Sequence, residues 1–302
     1  MTLVEHLYEL RRRIGYAVIA LILGAVVAFL WYSNTIGSFP TLGKLMIGPY
    51  CDLPAHLRLT FGGDNKSCAL LQTHPFEGFT IRLKVSVAAG AVLSSPAWLY
   101  QLWAFITPAL KSNEQRYAFT FVSCASVLFA FGAVLAYTVL PEALLVLTNV
   151  GGSQFVSALA GDNYFSFLIN LLIIFGISFE LPLLVVMLNL VGILKYDKLK
   201  GWRRGIVFAL FCFAAVATPG GDPISMLVLA GALTVLFEFA IQIARLHDKR
   251  LAQKRIDEGW DTSNPDEATA LHHVPAPVAV NDADPAQQPA SGVNGSRYDD
   301  AT

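Results

Sequence analysis

The chain has 302 residues, of which 55% are hydrophobic and 14% are charged, and its mean hydropathy is positive. Soluble globular domains carry fewer apolar and more charged residues, so the composition excludes an ordinary soluble domain and indicates an integral membrane protein. The formal net charge of -1 excludes little, because orientation in a membrane depends on how charge is distributed between the loops.

Long apolar runs divide the chain into six predicted spans, so the predicted fold class is an all-α membrane protein with six transmembrane helices. The predicted spans are 14–32, 83–106, 118–140, 165–193, 205–218 and 224–244. They form one predicted domain, 14–246. A cytoplasmic amphipathic segment, 1–13, precedes this domain, and a cytoplasmic tail, 247–302, follows it.

The first span follows three arginines, a pattern that also begins export signals. An export signal has an apolar region of about 7 to 15 residues and a small-residue cleavage site. The run from Ile14 to Tyr32 is longer and is followed by no such site. We therefore interpret it as a membrane helix, which a polar loop, 33–80, separates from the second span.

Prolines mark the ends and breaks of the predicted spans, because proline lacks the N–H that continues a helix. Pro96 interrupts the second span, Pro108 breaks the turn after it, and Pro141 is predicted to end the third span. The segment 142–163 contains no lysine or arginine and is predicted to be a loop. A partly buried helix in its first residues remains an open option.

The last two spans are predicted to be short and to form a tight hairpin. The apolar runs 205–218 and 224–237 contain 14 residues each, about 21 Å of helix against roughly 30 Å for the hydrocarbon core. The PGGDP sequence between them, with Pro219 and Asp222, is typical of a tight turn. Either the bilayer thins there or the hairpin stops short of the far surface.

Charge distribution predicts the orientation of the six spans. One face of the predicted bundle carries 15 basic residues and the other face carries five. By the positive-inside rule, both termini are cytoplasmic in a multi-pass protein of the cell membrane. No structure is expected after Leu246, because the tail from about Asp257 is rich in Ala, Pro, Asp, Asn and Gln, a composition typical of disorder.

One carboxylate, Glu180, lies near the middle of the apolar run from Phe165 to Ile193. An ionisable side chain at the centre of a membrane helix costs a few kcal/mol, so it indicates a functional site with a partner. Pro182 removes the helical partner of the Ser178 carbonyl and predicts a kink beside the acid. The alternative is a glutamic acid that only hydrogen-bonds a neighbouring helix to hold the bundle together.

The search for catalytic and metal-binding chemistry is negative. All six histidines lie outside the apolar runs, which excludes a haem held by intramembrane histidines. The sequence has no HExxH, no GxSxG and no phosphate-binding glycine loop. The GGD sequence at 220–222 is faintly similar to an intramembrane aspartyl protease, but a second intramembrane aspartate is missing and a turn is favoured. We therefore predict no enzyme activity, no metal site and no cofactor.

Four cysteines divide between the spans and the first loop. Cys124 and Cys212 lie inside spans and fit small buried hydrophobic residues. Cys51 and Cys68 share the loop on the predicted outer face, where the environment is oxidising and a disulfide is possible. Two free thiols are the alternative.

Five sequence motifs occur in the order found in one known family. They are HLYELRRR, SSPAWLYQLWAFITPAL with Glu114 six residues after Pro108, FAFGAVLAY with Pro141, FGISFELP, and ATPGGDPIS before the last span. Together they resemble TatC, the receptor subunit of the twin-arginine protein translocase, over roughly Met1 to Leu246. The chain departs from the common pattern at the last turn, where an extra glycine separates Pro219 from Asp222.

This resemblance implies a binding and assembly protein. TatC proteins receive folded precursors through a signal peptide with two consecutive arginines, and they assemble with the single-span subunits TatA and TatB. Transport uses the proton-motive force. The expected partners are therefore signal peptides, TatA, TatB, the lipid bilayer and further copies of the same chain, with no nucleic acid.

The resemblance also assigns roles to individual residues. Glu9 and Glu114 would bind the signal peptide, because carboxylates can take guanidinium groups bidentately. The other assigned positions are Arg11, Arg13 and Gln101 for the signal peptide, Glu180 and Glu238 for partner docking in the membrane, and Pro96, Pro108, Pro141, Pro182, Pro219 and Asp222 for structure. The alternative is that Glu9 and Glu114 form surface ion pairs with nearby arginines, which contribute little.

Two other classes of membrane protein are alternatives to the translocase interpretation. In a proton-coupled small-molecule carrier, Glu180 would load and release a proton, but such carriers usually contain internal repeats with broken helices in corresponding halves. We find no such repeat in the sequence. A purely structural scaffold would explain neither Glu180 nor the short hairpin.

Overall fold

The computed structural model describes residues 3–35, 37–54, 68, 70–106, 115–150 and 159–257. The chain divides into two compact units, Met1–Lys254 and Arg255–Thr302, and only the first three residues of the second unit are described. The described ranges contain helices and no β-strand, although an isolated bridge pairs Leu71 with Ala160. This confirms the prediction of an all-α fold.

The described ranges contain nine α-helices and one 3-10 turn. They are α1 (Leu3–Trp31), α2 (Leu42–Cys51), α3 (Glu77–Leu93), α4 (Ser95–Ile106), α5 (Gln115–Val150), α6 (Gly161–Ser178), α7 (Glu180–Leu190), α8 (Tyr196–Ala217), the 3-10 turn (Pro219–Gly221) and α9 (Pro223–Asp257). Four helical stretches within them are long and apolar enough to cross a membrane, namely Leu7–Trp31, Phe119–Thr148, Gly161–Leu190 and Pro223–Lys254. The other two predicted spans fall in the broken pair α3–α4 and in α8.

Glycines allow the closest approach of α1 and α3. A Cβ atom on Gly90 would overlap the Ala25 nitrogen, and one on Gly24 would lie 2.6 Å from the Gly90 oxygen. Small residues of this kind let the backbones of membrane helices touch, so that van der Waals contact holds the helices together. The α1–α3 pair depends on both glycines.

A second glycine crossing joins α5 to α6. A Cβ atom on Gly132 would lie 2.8 Å from the Phe175 oxygen, and one on Gly176 would lie 2.8 Å from the Phe129 ring. Phe175 and Phe179 are fully buried here. The core of the bundle therefore forms where α6 meets α5, one turn before the break between α6 and α7.

Two of the prolines lie beside helix breaks at the predicted positions. Ser94 separates α3 from α4 just before Pro96, and the Trp98 indole Nε1 donates to the Ala91 oxygen at 2.9 Å. Phe179 separates α6 from α7, three residues before Pro182. Both breaks place a polar or charged residue at the start of the next helix.

Pro141 does not end its helix, so that prediction is wrong. Helix α5 continues from Gln115 to Val150 with Pro141 in its interior, and the first part of the predicted loop 142–163 is helical. Ala143 and Leu144 are buried against the core. Their burial outweighs the single hydrogen bond that the proline removes.

Helices α8 and α9 also extend further than the sequence suggests. Helix α9 continues to Asp257, so residues 247–257 of the predicted disordered tail are helical. Helix α8 begins at Tyr196, within the basic segment. The apolar run 205–218 covers the C-terminal part of α8, and the run 224–237 lies in the N-terminal part of α9. The two runs meet at the tight turn.

That turn depends on residues with unusual backbone angles. Gly220 and Gly221 have φ angles of 75° and 64°, a region that glycine adopts without strain. Asp222 then caps α9, since its Oδ1 accepts the Ser225 N–H at 2.6 Å, and Pro223 occupies the first helical position. The aspartate therefore has a structural role in the hairpin.

Candidate functional site

Glu180 is the first residue of α7, immediately after the break at Phe179. Both of its carboxylate oxygens are buried, and neither has a hydrogen-bond partner among the residues that the structure describes. A buried carboxyl group without a partner is costly. The structure therefore places at the middle of the bundle an acid that the described part of the chain does not satisfy.

Glu238, the second acid assigned to partner docking, has a different environment. Its Oε1 accepts a hydrogen bond from the Arg203 Nε, which links α9 to the start of α8. The side chains of Arg203 and Glu238 are 58% and 28% exposed, so the pair is near the surface. The two acids thus differ in their surroundings, because Glu238 is ion-paired whereas Glu180 has no hydrogen-bond partner within the described ranges.

On α1, Glu9 pairs with Arg13 one turn later. The Arg13 Nε donates to the Glu9 Oε1 at 3.0 Å, and the Nη2 donates to the same oxygen. The Arg11 guanidinium lies 4.9 Å from the centre of the Tyr8 ring and is exposed. Glu9 therefore holds a guanidinium group of its own chain.

The other predicted signal-peptide residues are only partly described. Gln101 is half-buried on α4, and α4 packs against α1. The helices that carry Glu9 and Gln101 are therefore neighbours. Glu114 and Pro108 lie outside the described residues.

The best satisfied acid in the described ranges is Glu77, which the sequence did not single out. Its Oε2 accepts the Thr73 N–H, the Thr73 hydroxyl and the His74 N–H, and its Oε1 accepts the Asp162 N–H at 2.7 Å. These donors, the Thr73 N–H foremost, lower the pKa of the Glu77 carboxyl to about 2 although burial opposes the shift. Glu77 thus joins the first loop to the start of α6.

Further hydrogen bonds, an ion pair and a disulfide tie the first loop and α2 to the long helices. Lys84 pairs with Asp162 at 2.7 Å, and Arg82 donates to the Phe29 oxygen near the end of α1 at 2.9 Å. Cys51 and Cys68 form a disulfide in the structure. The Tyr137 and Tyr164 hydroxyls donate to carbonyl oxygens of α2, at Leu45 and Met46. We call this region, residues 37–54, 68, 70–77 and 159–162, the cap.

A further acid, Asp248, ties the opposite end of the bundle together. Its Oδ2 accepts the Tyr196 N–H at 2.8 Å at the start of α8, and its Oδ1 accepts the Asn189 Nδ2 at 3.1 Å near the end of α7. No local sequence pattern indicated this contact, because Asp248 lies in the segment predicted to be unstructured. Within the described residues, no group of three or more His, Cys, Asp or Glu side chains could hold a metal ion.

Fold and site together define a polytopic α-helical membrane protein with an unsatisfied acid inside its bundle. The family model described as "Sec-independent protein translocase protein (TatC)" matches residues 5–231. The chain therefore belongs to the TatC family, as its motifs predicted. Asp248 lies beyond the matched residues.

Curated relatives and solved structures agree with this assignment. The Sec-independent protein translocase protein TatC of Corynebacterium kroppenstedtii is 44% identical, over 94% of this chain and 71% of the relative. The protein of the same name from Frankia casuarinae is also 44% identical, over 92% of this chain and 74% of the relative. A crystal structure of the twin-arginine translocase receptor TatC in DDM is similar, with a TM-score of 0.64 and 30% identity over 79% of this chain and 99% of that one. A second crystal structure of the TatC receptor has a TM-score of 0.60 and 31% identity over 80% and 98%.

Proposed function

We propose that this chain is the signal-peptide receptor of a twin-arginine translocase in the cytoplasmic membrane. It would bind precursors that carry two consecutive arginines, assemble with TatA and TatB and with further copies of itself, and help to move folded proteins by using the proton-motive force. The observation that carries the proposal is the family match over 5–231, which includes Glu9, Glu114 and Glu180. The role is binding and assembly, and it needs no cofactor and no nucleic acid.

The receptor site that we propose uses Glu9 and Glu114, with Arg11, Arg13 and Gln101 beside them. The Glu9–Arg13 pair supports it, because the carboxylate already accepts two N–H groups of one guanidinium. An incoming signal arginine offers the same planar donor group and can replace Arg13. Lysine has no such fork of donors, so this exchange would favour arginine over lysine.

Precursor crosslinking tests the receptor site. Replacement of Glu9 or Glu114 by Ala should weaken crosslinking of a twin-arginine precursor, and replacement by Lys should weaken it further because the charge is reversed. The matched control is Asp197→Ala, since Asp197 is an exposed acid at the start of α8. Normal crosslinking in the Glu9→Ala, Glu114→Ala double variant would return both acids to the role of surface ion pairs.

In the membrane, we propose that Glu180 and Glu238 dock the single helices of partner subunits. Glu180 would form a hydrogen bond with a polar side chain of the partner, as acceptor or as donor. Its buried oxygens, which have no partner among the described residues, support this role. Glu238 would contribute at the edge of α9, where its pair with Arg203 is partly exposed. The two acids would then bind at different depths of the bundle.

The proposed topology has six spans, 14–32, 83–106, 118–140, 165–193, 205–218 and 224–244, with both termini in the cytoplasm. A cysteine introduced within 153–162 should then react with an impermeant thiol reagent added outside cells, and one at Lys198 should not. The experiment is done with Cys124 and Cys212 replaced by Ser, because both are free thiols and are exposed on the protein surface, not buried as the sequence suggested. Labelling at Lys198 from outside would overturn the orientation.

A further inference from the structure

An apolar cavity of about 410 Å³ lies beside the cap. Helices α3, α5 and α6 form most of its wall, and α2 and the end of α1 complete it. Its width comes from small residues on two facing helices, Ala88 and Ala89 on α3 and Ala130 and Ala133 on α5. The cavity is not sealed from its surroundings.

The few polar atoms at the cavity already have partners. The Trp31 indole Nε1 donates to the Pro40 oxygen at 3.1 Å, and the Tyr137 hydroxyl donates to the Leu45 oxygen at 2.7 Å. The other lining residues are apolar. A water molecule needs two to four polar partners, and apolar cavities stay dry.

An empty cavity of this size would be unfavourable, because the cost of a cavity rises with its volume. The lining residues of α3, α5 and α6 lie within three of the predicted membrane spans, so the surrounding medium is hydrocarbon. A membrane helix is too large an occupant, since a cylinder about 10 Å wide and 30 Å long fills on the order of 2,000 Å³. A cavity near 400 Å³ is in the range of small-ligand sites.

We infer that this cavity holds an acyl chain of a membrane phospholipid. The chain fills the space between Ala89 and Ala130 and packs against the underside of α2, so that the lipid becomes part of the cap's support. The inference rests on the membrane location of α3, α5 and α6 and does not depend on the receptor proposal. Its test can therefore fail while precursor binding is normal.

The first experiment uses the unaltered full chain. The protein is reconstituted in phosphatidylcholine vesicles that contain a phosphatidylcholine with a diazirine in one acyl chain, extracted into detergent, washed free of bulk lipid and then irradiated. Mass spectrometry of the peptides should show adducts concentrated at 85–93 and 130–137. Adducts found only on exposed apolar residues such as Phe208 and Val216 would overturn the inference.

The second experiment fills the cavity. Ala89→Leu and Ala130→Leu should each cause loss of the retained adduct, because the added methyl groups occupy the space of the acyl chain. The matched control is Ala209→Leu, since Ala209 is exposed on α8, and this variant should keep the adduct. Each variant is first checked for the Cys51–Cys68 disulfide and for unchanged gel-filtration behaviour.

If a filling variant fails to fold, the unaltered chain still decides the question. A folded Ala89→Leu, Ala130→Leu double variant that keeps the full adduct would overturn the inference. Loss of the adduct from the unaltered chain on co-expression with the single-span subunits would also overturn it, because the occupant would then be a protein helix.

Discussion

Glu77 and Glu180 each begin a helix, and their surroundings are opposite. At the cap, Glu77 accepts hydrogen bonds from four donor groups in two segments of the chain. In the middle of the bundle, Glu180 accepts none from the residues that the structure describes. The fold completes the Glu77 site by itself, whereas the residues that the structure describes leave the Glu180 site incomplete.

This difference separates two uses of an acid. A carboxylate whose acceptors are filled by backbone N–H groups fixes the position of those segments and has little capacity left for a partner. A buried carboxyl group that accepts no hydrogen bond destabilises the folded protein. Binding of a ligand, a proton or a partner removes that cost. The cap is therefore the rigid region, and Glu180 is the position where binding is expected.

The largest effect is expected at Glu180. Glu180→Ala should abolish export and partner crosslinking while precursor binding at Glu9 persists, because Ala cannot form a hydrogen bond with a partner helix. Glu180→Gln should keep partial export, since the amide retains hydrogen-bonding capacity. Export, partner crosslinking and precursor binding are measured for both variants side by side.

A proton-coupled carrier predicts a different pattern for these two variants. A group that must titrate cannot be replaced by Gln, so Gln and Ala would be equally inactive with partner association unchanged. An Ala variant that recruits its partners normally would exclude the docking role of Glu180.

The next largest effect is expected in the cap. Replacement of both Cys51 and Cys68 by Ser should lower the free energy of unfolding by about 3 kcal/mol, because the disulfide closes a separation of 17 residues. Thermal unfolding in detergent, with and without reductant, measures the loss. Cys124→Ser is the control, and the prediction fails if reductant leaves the melting temperature of the unaltered chain unchanged.

A smaller effect is expected where α5 crosses α6. This crossing packs beside the break that precedes Glu180, but it contains no acidic residue. Gly132→Ala should destabilise the protein by roughly 1–3 kcal/mol through overpacking, since the new Cβ would lie 2.8 Å from the Phe175 oxygen and 3.1 Å from the Phe179 ring. Gly231→Ala is the matched control, because nothing lies within 4 Å of a Cβ there. Equal melting temperatures for the two variants would contradict the close contact.

The smallest effect is expected at Glu77 and is confined to acid pH. Because the folded state lowers the Glu77 pKa from its ordinary value of 4.5 to about 2, its stabilising contribution is complete above pH 4.5 and is lost as the pH falls toward 2. Glu77→Gln should therefore show a flatter dependence of the melting temperature on pH in that window. The control is Glu142→Gln, at an exposed acid on α5, which should keep the slope of the unaltered chain.

Local sequence signals predicted the features that depend on neighbouring residues. The helix break before Pro182 and the unusual cost of Glu180 both follow from the residue types in one apolar run, and the structure places the break at Phe179. The tight turn at 219–223 was predictable for the same reason, since glycine and proline limit the backbone directly.

Features that depend on distant residues were not predictable from the sequence. The donors of Glu77 include the Asp162 N–H, 85 residues away, and no local pattern indicates that contact. Pro141 was expected to end a helix because its missing hydrogen bond is visible in the sequence, whereas the burial of Ala143 and Leu144 is visible only in the packed structure.

The contact of Asp248 with α7 and α8 has a consequence for the order of events during synthesis. Asp248 follows Tyr196 by 52 residues and Asn189 by 59, so at 5–20 residues per second the ribosome needs roughly 3 to 10 s to supply it after Tyr196. During that interval the first turn of α8 lacks its acceptor, and Asn189 lacks one of its two partners. This end of the bundle is therefore completed only when α9 has been made, and a nascent chain that stalls before Asp248 leaves the Tyr196 N–H without this acceptor.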